Sequence, residues 1–304
     1  MDNIGRYILE SQNEPFHIDQ LLAQKNIYSN AKILQGLLIF ISIPLPIILA
    51  LVTRIYPHLI EERNWLFILY LVIASLSEKV LESYIDRLKK LAASIQEMFD
   101  SKVLQIESNE TLNTAVVDTE VIRANSKDPR KYKKKLEKVT NWYSLNIEDL
   151  DTNIASILCQ RTNIYYDFSV RKRYNLLMRI LVILTFSILL MISLNNDVSL
   201  KSFLIEVVLP SIPVFMFAYK EINSNTESID NLEHLKDLIE NSLSNRSLSD
   251  KMEVSLLRKI QDRIYANRIL SPLIPDSLYG IIRPKLEDEM NYSVAEKIKT
   301  LRAH

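Results

Sequence analysis

Arginine, asparagine and aromatic side chains concentrate between residues 141 and 174. Asn141-Trp142-Tyr143 is followed by Gln160-Arg161-Thr162-Asn163, Tyr165, Tyr166, Arg171, Arg173 and Tyr174. Planar rings stack on bases and guanidinium forks match phosphate oxygens, so this combination suits a nucleotide. On that reading the ligand-binding candidates are Trp142, Tyr143, Arg161, Asn163, Tyr165, Arg171 and Arg173. The same residue types also anchor helices at a membrane surface, so composition alone leaves both readings open. A second group is defined by spacing. Ser202, Glu206, Pro210 and Pro213 recur at steps of four, four and three, which places them on one helix face. Ser75, Glu78 and Glu82 share a face in the same way. A carboxylate in hydrocarbon is costly, so Glu206 should face water or protein. A pore or gate lining satisfies that condition, and so do hydrogen bonds inside a bundle.

Catalytic patterns do not emerge. There is no GxSxG, HExxH, CxxC or EF-hand loop. The chain holds 3 Gly, which excludes the glycine-rich phosphate loops. One cysteine, Cys159, excludes a disulfide framework, and no histidine neighbours it in sequence to activate it as a nucleophile. The 4 His are too dispersed for a metal cluster. Lys+Arg 37 balances Asp+Glu 37, which gives no sign of a DNA- or RNA-binding surface. The expectation is a non-enzymatic protein with no bound cofactor.

The elements that must position these residues are helices. With so little glycine and few turn dipeptides, the chain reads as mostly helical, and its apolar residues fall into four blocks. Residues 33–53 carry no charge and reach the roughly 20 residues that cross a bilayer. Residues 65–82 span if Glu78 and Lys79 lie at an interface. Residues 176–194 span if Arg179 snorkels, and residues 200–219 contain Glu206 and two prolines. Block one starts after a long polar stretch without a cleavage pattern, which separates it from a signal peptide. The fold class expected is an all-α membrane protein with four transmembrane helices in two hairpins. Helices two and four should extend into a helical cytoplasmic domain, because apolar residues continue at steps of three and four from Leu81 to Phe99 and from Ile222 to Leu243.

The organisation read from this pattern is a cytoplasmic segment at 1–32, a hairpin at 33–82, and a helical region at 83–175. A second hairpin follows at 176–219 and a C-terminal helical region at 220–304. Basic residues crowd the flanks facing these regions (Lys25, Lys32, Arg87, Lys89, Lys90, Arg171 to Arg173). The short outer connections carry few, so both termini should be cytoplasmic. Helical periodicity is expected to resume through Trp142 and Leu145 and to run on into block three. Pro272 to Pro275 should break the last two helices.

Taken in order, several segments resemble the SMODS-associating four-transmembrane effector family of bacterial cyclic-oligonucleotide anti-phage systems (CBASS). They are Ser11 to Glu14, Leu21 to Lys32, Ala93 to Asp100, Asn141 to Tyr143, Cys159 to Asp167, Arg171 to Tyr174 and Arg263 to Tyr279. Ser11 stands where the family's pattern has an arginine, which weakens a role for a cation there. The resemblance implies a bacterial inner-membrane effector. A cyclic di- or trinucleotide from a partner synthetase would bind the cytoplasmic part, and homo-oligomerisation or opening would permeabilise the lipid bilayer and arrest or kill the cell. A non-conducting membrane-anchored nucleotide sensor or scaffold is the alternative.

Overall fold

The computed structural model describes residues 4–55, 65–109, 116–127, 132–150, 153–194, 200–204, 208–244 and 253–303. Every described element is helical. Helix α1 (Ile4–Ser11) is short and leads through a tight turn into α2 (Pro15–Ser42). Proline opens α2 at a position where its missing N–H is no loss. The helix runs straight across residues 32 and 33, so its polar N-terminal half and its apolar half form one rod. It stops at Ile43, whose N–H reaches Ile39 O at 2.9 Å, because Pro44 cannot donate to the next turn. The first apolar block is therefore divided between α2 and α3 (Pro44–Ile55). Its continuation to residue 64 lies outside the described residues.

Helix α4 (Trp65–Val103) is unbroken over 39 residues, about 58 Å at 1.5 Å per residue. No glycine or proline interrupts it, as the sequence pattern predicts. Two short helices follow, α5 (Thr119–Ser126) and α6 (Tyr132–Leu136). Helix α7 (Ile154–Leu194) has 41 residues and carries the Arg/aromatic segment at one end and the third apolar block at the other. A single turn, α8 (Leu200–Phe203), precedes α9 (Leu209–Leu243), which holds Pro213 in its interior. Helices α10 (Val254–Leu270) and α11 (Asp276–Ala303) are separated at Pro272 to Pro275, as expected. Helix α2 packs along α4 and α7 along α9, while α10 touches α4, α7 and α9 and so joins the two pairs.

One sequence expectation fails. Residues 139–150 are turns and one turn of 3₁₀ helix (Leu145–Ile147), and α7 starts only at Ile154. Local bonds explain why. Asn141 sits in the left-handed region at φ 52°, and its side-chain oxygen accepts from Asn13 Nδ2 at 2.8 Å. Asn13 Oδ1 accepts from Asn141 N at 3.0 Å and Gln12 Oε1 from Tyr143 N at 2.7 Å. Side chains of the α1–α2 turn thus satisfy backbone donors that a helix would have used internally.

The packing is inverted between the two ends of the long rods. Ile8, Leu21, Phe99, Ile157, Leu235, Ile260 and Leu301 belong to one buried core in which seven helices and the 139–150 turns meet. Around the apolar blocks the large side chains point outward instead: Ile33, Leu37 and Phe40 on α2, Val72, Ile73 and Leu76 on α4, Ile183 and Met191 on α7, and Phe215 and Met216 on α9. Two stretches, Pro15–Leu49 and Ile154–Met191, are long and apolar enough to cross a membrane, and only 28% of the most apolar part of each is buried. A soluble core helix would bury most of that surface.

Candidate functional site

Three polar clusters lie inside the helical body. The first centres on Asp100, near the end of α4, which is fully buried. Its carboxylate accepts from Tyr143 OH at 2.7 Å, Arg268 Nη1 at 2.6 Å and Gln261 Nε2 at 3.2 Å. One turn earlier, Glu97 accepts from Arg258 at 2.6 Å and Gln261 at 2.8 Å. Burial pushes the Glu97 carboxyl up against the opposing pull of these donors. Burial also pushes the Tyr143 hydroxyl and the Cys159 thiol well above their ordinary ranges, with the Asp100 charge adding to both. Cys159 is therefore a buried thiol without a base, a packing residue.

The second cluster ties α7, α9 and α11 together. Arg161 Nε donates to Glu240 Oε1 at 2.6 Å, Tyr165 OH to the same oxygen at 2.8 Å, and Lys297 Nζ to Oε2 at 2.8 Å. Arg161 Nη1 also reaches Ser293 at 3.0 Å, and the guanidinium stacks over the Tyr165 ring at 4.3 Å. Burial favours the neutral carboxyl of Glu240, but the donors win and hold it down at about 2.

The third lies nearer the apolar blocks. Arg171 Nε donates to Asp167 at 2.9 Å, and Nη1 to Asn225 Oδ1 and to Pro272 O at 3.1 Å each. Asp167 also accepts from Asn267 Nδ2 at 3.2 Å. The Tyr166 and Tyr279 rings stack with centroids 5.9 Å apart, and Lys32 Nζ lies 4.9 Å from the Tyr279 centroid while pairing with Asp276 at 2.5 Å. Next to it, Glu221 accepts from Tyr174 OH at 2.6 Å and Gln35 at 2.9 Å; burial pushes its carboxyl up.

The structure therefore separates the residues that the sequence grouped. Arg161 and Tyr165 share the Glu240 cluster. Asn163 reaches the Tyr143 hydroxyl at 3.4 Å beside Asp100, and Trp142 packs on the main core. Arg171 stands in the third cluster, and Arg173, on the same helix, is half-buried. Of the proposed polar membrane face, Glu206 lies outside the described residues, Ser202 is in α8, and Pro210 and Pro213 are in α9. Glu78 and Glu82 do find a partner in Lys220 of α9, Glu78 at 3.9 Å. Among the described residues no group of three or more His, Cys, Asp or Glu is placed to hold a metal.

Sequence reasoning missed Tyr28, Asp100, Glu240, Arg268 and Tyr279. All but Glu240 fall inside the segments that carried the family resemblance, and those segments meet in space. Gln12 and Asn13 hold the 141–143 turn, Tyr143 and Arg268 meet on Asp100, and Tyr166 stacks on Tyr279.

Long apolar helices that face outward and continue into a polar-clamped helical body define a membrane protein. The chain belongs to the SMODS-associating 4TM effector domain family, whose profile matches residues 6–297. It is also similar to a protein of Bacillus cereus (strain VD146) named "Probable CBASS effector molecule", 29% identical over 291 residues that cover 93% of this chain and 95% of the relative. No solved structure matches.

Proposed function

We propose that this protein is an anti-phage effector of a CBASS system, a bacterial inner-membrane protein that a cyclic oligonucleotide switches on. The nucleotide, made by a partner synthetase, binds the cytoplasmic body, which contains Trp142, Tyr143, Arg161, Asn163, Tyr165, Arg171 and Arg173. Binding drives oligomerisation or opening, and the membrane becomes permeable. One observation carries this reading. Outward-pointing large apolar side chains occur on all four blocks, including those on α4 and α9, while buried ion pairs occupy the body beyond them. That distribution suits four crossings in two hairpins, at 33–82 and 176–219, with both termini in the cytoplasm. The family supports the signal and the effector role.

Four helices enclose too little space for a wide pore, so the conducting form is an assembly of several chains. The face of Ser202, Glu206, Pro210 and Pro213 lines it, where proline-freed carbonyls and a carboxylate can meet water. The ligand must prefer the assembled state, since equal affinity for both states shifts nothing. Proteoliposomes loaded with dye test the proposal directly. Leakage should occur only when one member of a cyclic di- and trinucleotide panel is added. Leakage without any nucleotide refutes gating, and binding without leakage or depolarisation leaves a non-conducting sensor that recruits a partner.

A further inference from the structure

The geometry points to one nucleotide-binding site formed by Tyr28, Lys32, Tyr166, Arg171, Arg268 and Tyr279, where α2, α7, α10 and the start of α11 meet. This inference rests on the nucleotide-gated reading above and specifies where the ligand sits. Tyr28 and Lys32 are one turn apart on α2, so they share a face. Tyr28, Tyr166 and Tyr279 pack against the same buried cluster, Lys32 Nζ lies 4.9 Å from the Tyr279 centroid, Arg171 reaches Pro272 O, and Asn267, beside Arg268, reaches Asp167. The groups therefore converge on one place.

Two features distinguish this place from the other polar clusters. First, the phenolic hydroxyls of Tyr28 and Tyr279 have no hydrogen-bond partner among the described residues. Both residues are half-buried, with hydroxyls that are not sealed from solvent, and partial burial pushes both hydroxyls above the ordinary phenol range. Each is therefore a donor and acceptor that no described residue engages and that a ligand can reach. Second, the surrounding side chains stay partly accessible: Tyr28, Lys32, Tyr166, Asp167, Arg268 and Tyr279 are all half-buried. Among the described residues Arg268 donates through Nη1 alone, toward Asp100, and Arg171 through Nε and Nη1. Each guanidinium keeps donors for a further acceptor. By contrast, Arg161 is filled by Glu240, Ser293 and Tyr165.

The chemistry available is that of a cyclic oligonucleotide. The Tyr166/Tyr279 pair and Tyr28 offer ring faces to bases. The spare donors of Arg171 and Arg268, with Lys32, meet phosphodiester oxygens. Asp167 can accept from a base amino group. Position adds a mechanical argument. Tyr28 and Arg171 lie on the two helices, α2 and α7, that run unbroken into apolar blocks one and three. A ligand drawing them together moves the membrane segments of both pairs.

The test uses the full chain in lipid nanodiscs, with binding of cyclic di-AMP, cyclic di-GMP, 2′,3′- and 3′,3′-cyclic GMP–AMP and cyclic triadenylate read by calorimetry and native mass. Tyr28→Phe deletes a hydroxyl with no internal partner, so thermal stability should be retained while affinity for the bound member falls about fivefold, the worth of one ordinary hydrogen bond. Lys32→Met should weaken it by a similar factor, and more at low salt. Arg161→Gln should leave it within twofold. Wild-type affinity in both Tyr28→Phe and Lys32→Met overturns this site while the nucleotide reading stands. Weakening by Arg161→Gln alone moves the site to the Glu240 cluster and equally overturns it. A wild-type chain that binds no member of the panel removes the nucleotide reading itself.

Discussion

Glu240 should behave as the pin that holds α11 to the body. Its carboxylate takes three donors from two other helices, Arg161 and Tyr165 on α7 and Lys297 on α11. Desolvation alone would raise its pKa, and the donors reverse this and lower it from 4.5 to about 2. A fall of that size corresponds to about 3 kcal/mol of preference for the charged form. The carboxylate retains 29% of its exposure, so solvent screening reduces the useful part to about 2 kcal/mol. Because the folded-state value is depressed, this contribution is present in full above pH 4.5. It disappears as pH falls from there toward 2. Glu240→Gln keeps an acceptor for Arg161 but removes the charge, leaving a guanidinium that is only 7% exposed without its counter-ion. At pH 7 the variant should lose about 2 kcal/mol, or roughly 4–8 °C in Tm for a chain of this size. Hydrogen exchange should localise the loss to residues 290–300 of α11. The difference between the two proteins should shrink as pH falls below 4.5 and close only near pH 2, where the folded wild type itself takes up the proton. Unchanged protection of α11, or a constant difference between the two proteins across that pH range, refutes the pin.

Other substitutions probe separate parts of the body. Gly5→Ala would place a Cβ 1.8 Å from the Ile147 carbonyl oxygen, and a backbone atom there cannot yield cheaply. The Gly5 N to Leu150 O bond at 2.8 Å should break and protection of residues 4–11 should fall by about 1–3 kcal/mol; normal exchange there refutes the close approach. Asp100→Asn leaves Arg268 buried and uncompensated and should destabilise by about 3 kcal/mol, whereas Asp100→Leu with Arg268→Met should recover most of it in thermal unfolding. Cys159 should resist a disulfide reagent at pH 7.5 in the native protein and react once on denaturation, and rapid native labelling would contradict its burial.

The length and direction of the rods were legible because helical periodicity is local. Trp65 to Val103 contains no breaker, and Pro272 with Pro275 marks the stop between the last helices. The turns at 139–150 were not legible, because their apolar spacing imitates a helix. What overrides it is a contact 128 residues away in sequence, between Asn13 and Asn141. The candidate site was half legible for the same reason. Arg161 and Arg171 are ten residues apart on one helix, and proximity in sequence suggested one site. Their partners come from Glu240, Asn225 and Pro272, and no local pattern reveals that these lie on different levels of the body.

The placement of buried charge explains how such a body could remain quiescent and yet respond. Buried pairs such as Arg268 with Asp100 add little net stability over apolar packing, but removing either partner is expensive, so they specify one arrangement of helices. Helix α10 carries Arg258, Gln261 and Arg268 to the N-terminal pair through α4 and Asn267 to Asp167 on α7. It is thus the joint between the α2–α4 and α7–α9 pairs. In the switch proposed above, a ligand on the remaining donors of Arg268 and Arg171 would act on that joint from both sides, without having to break the Glu240 pin. To move a population from 1:99 to 99:1 it must favour the new arrangement by about 5.5 kcal/mol. A few charge-assisted hydrogen bonds to phosphodiester oxygens and two stacked bases are of that order. The break at Ile43 and Pro44 would then set how far the proposed motion travels, since α2 is continuous only up to the proline.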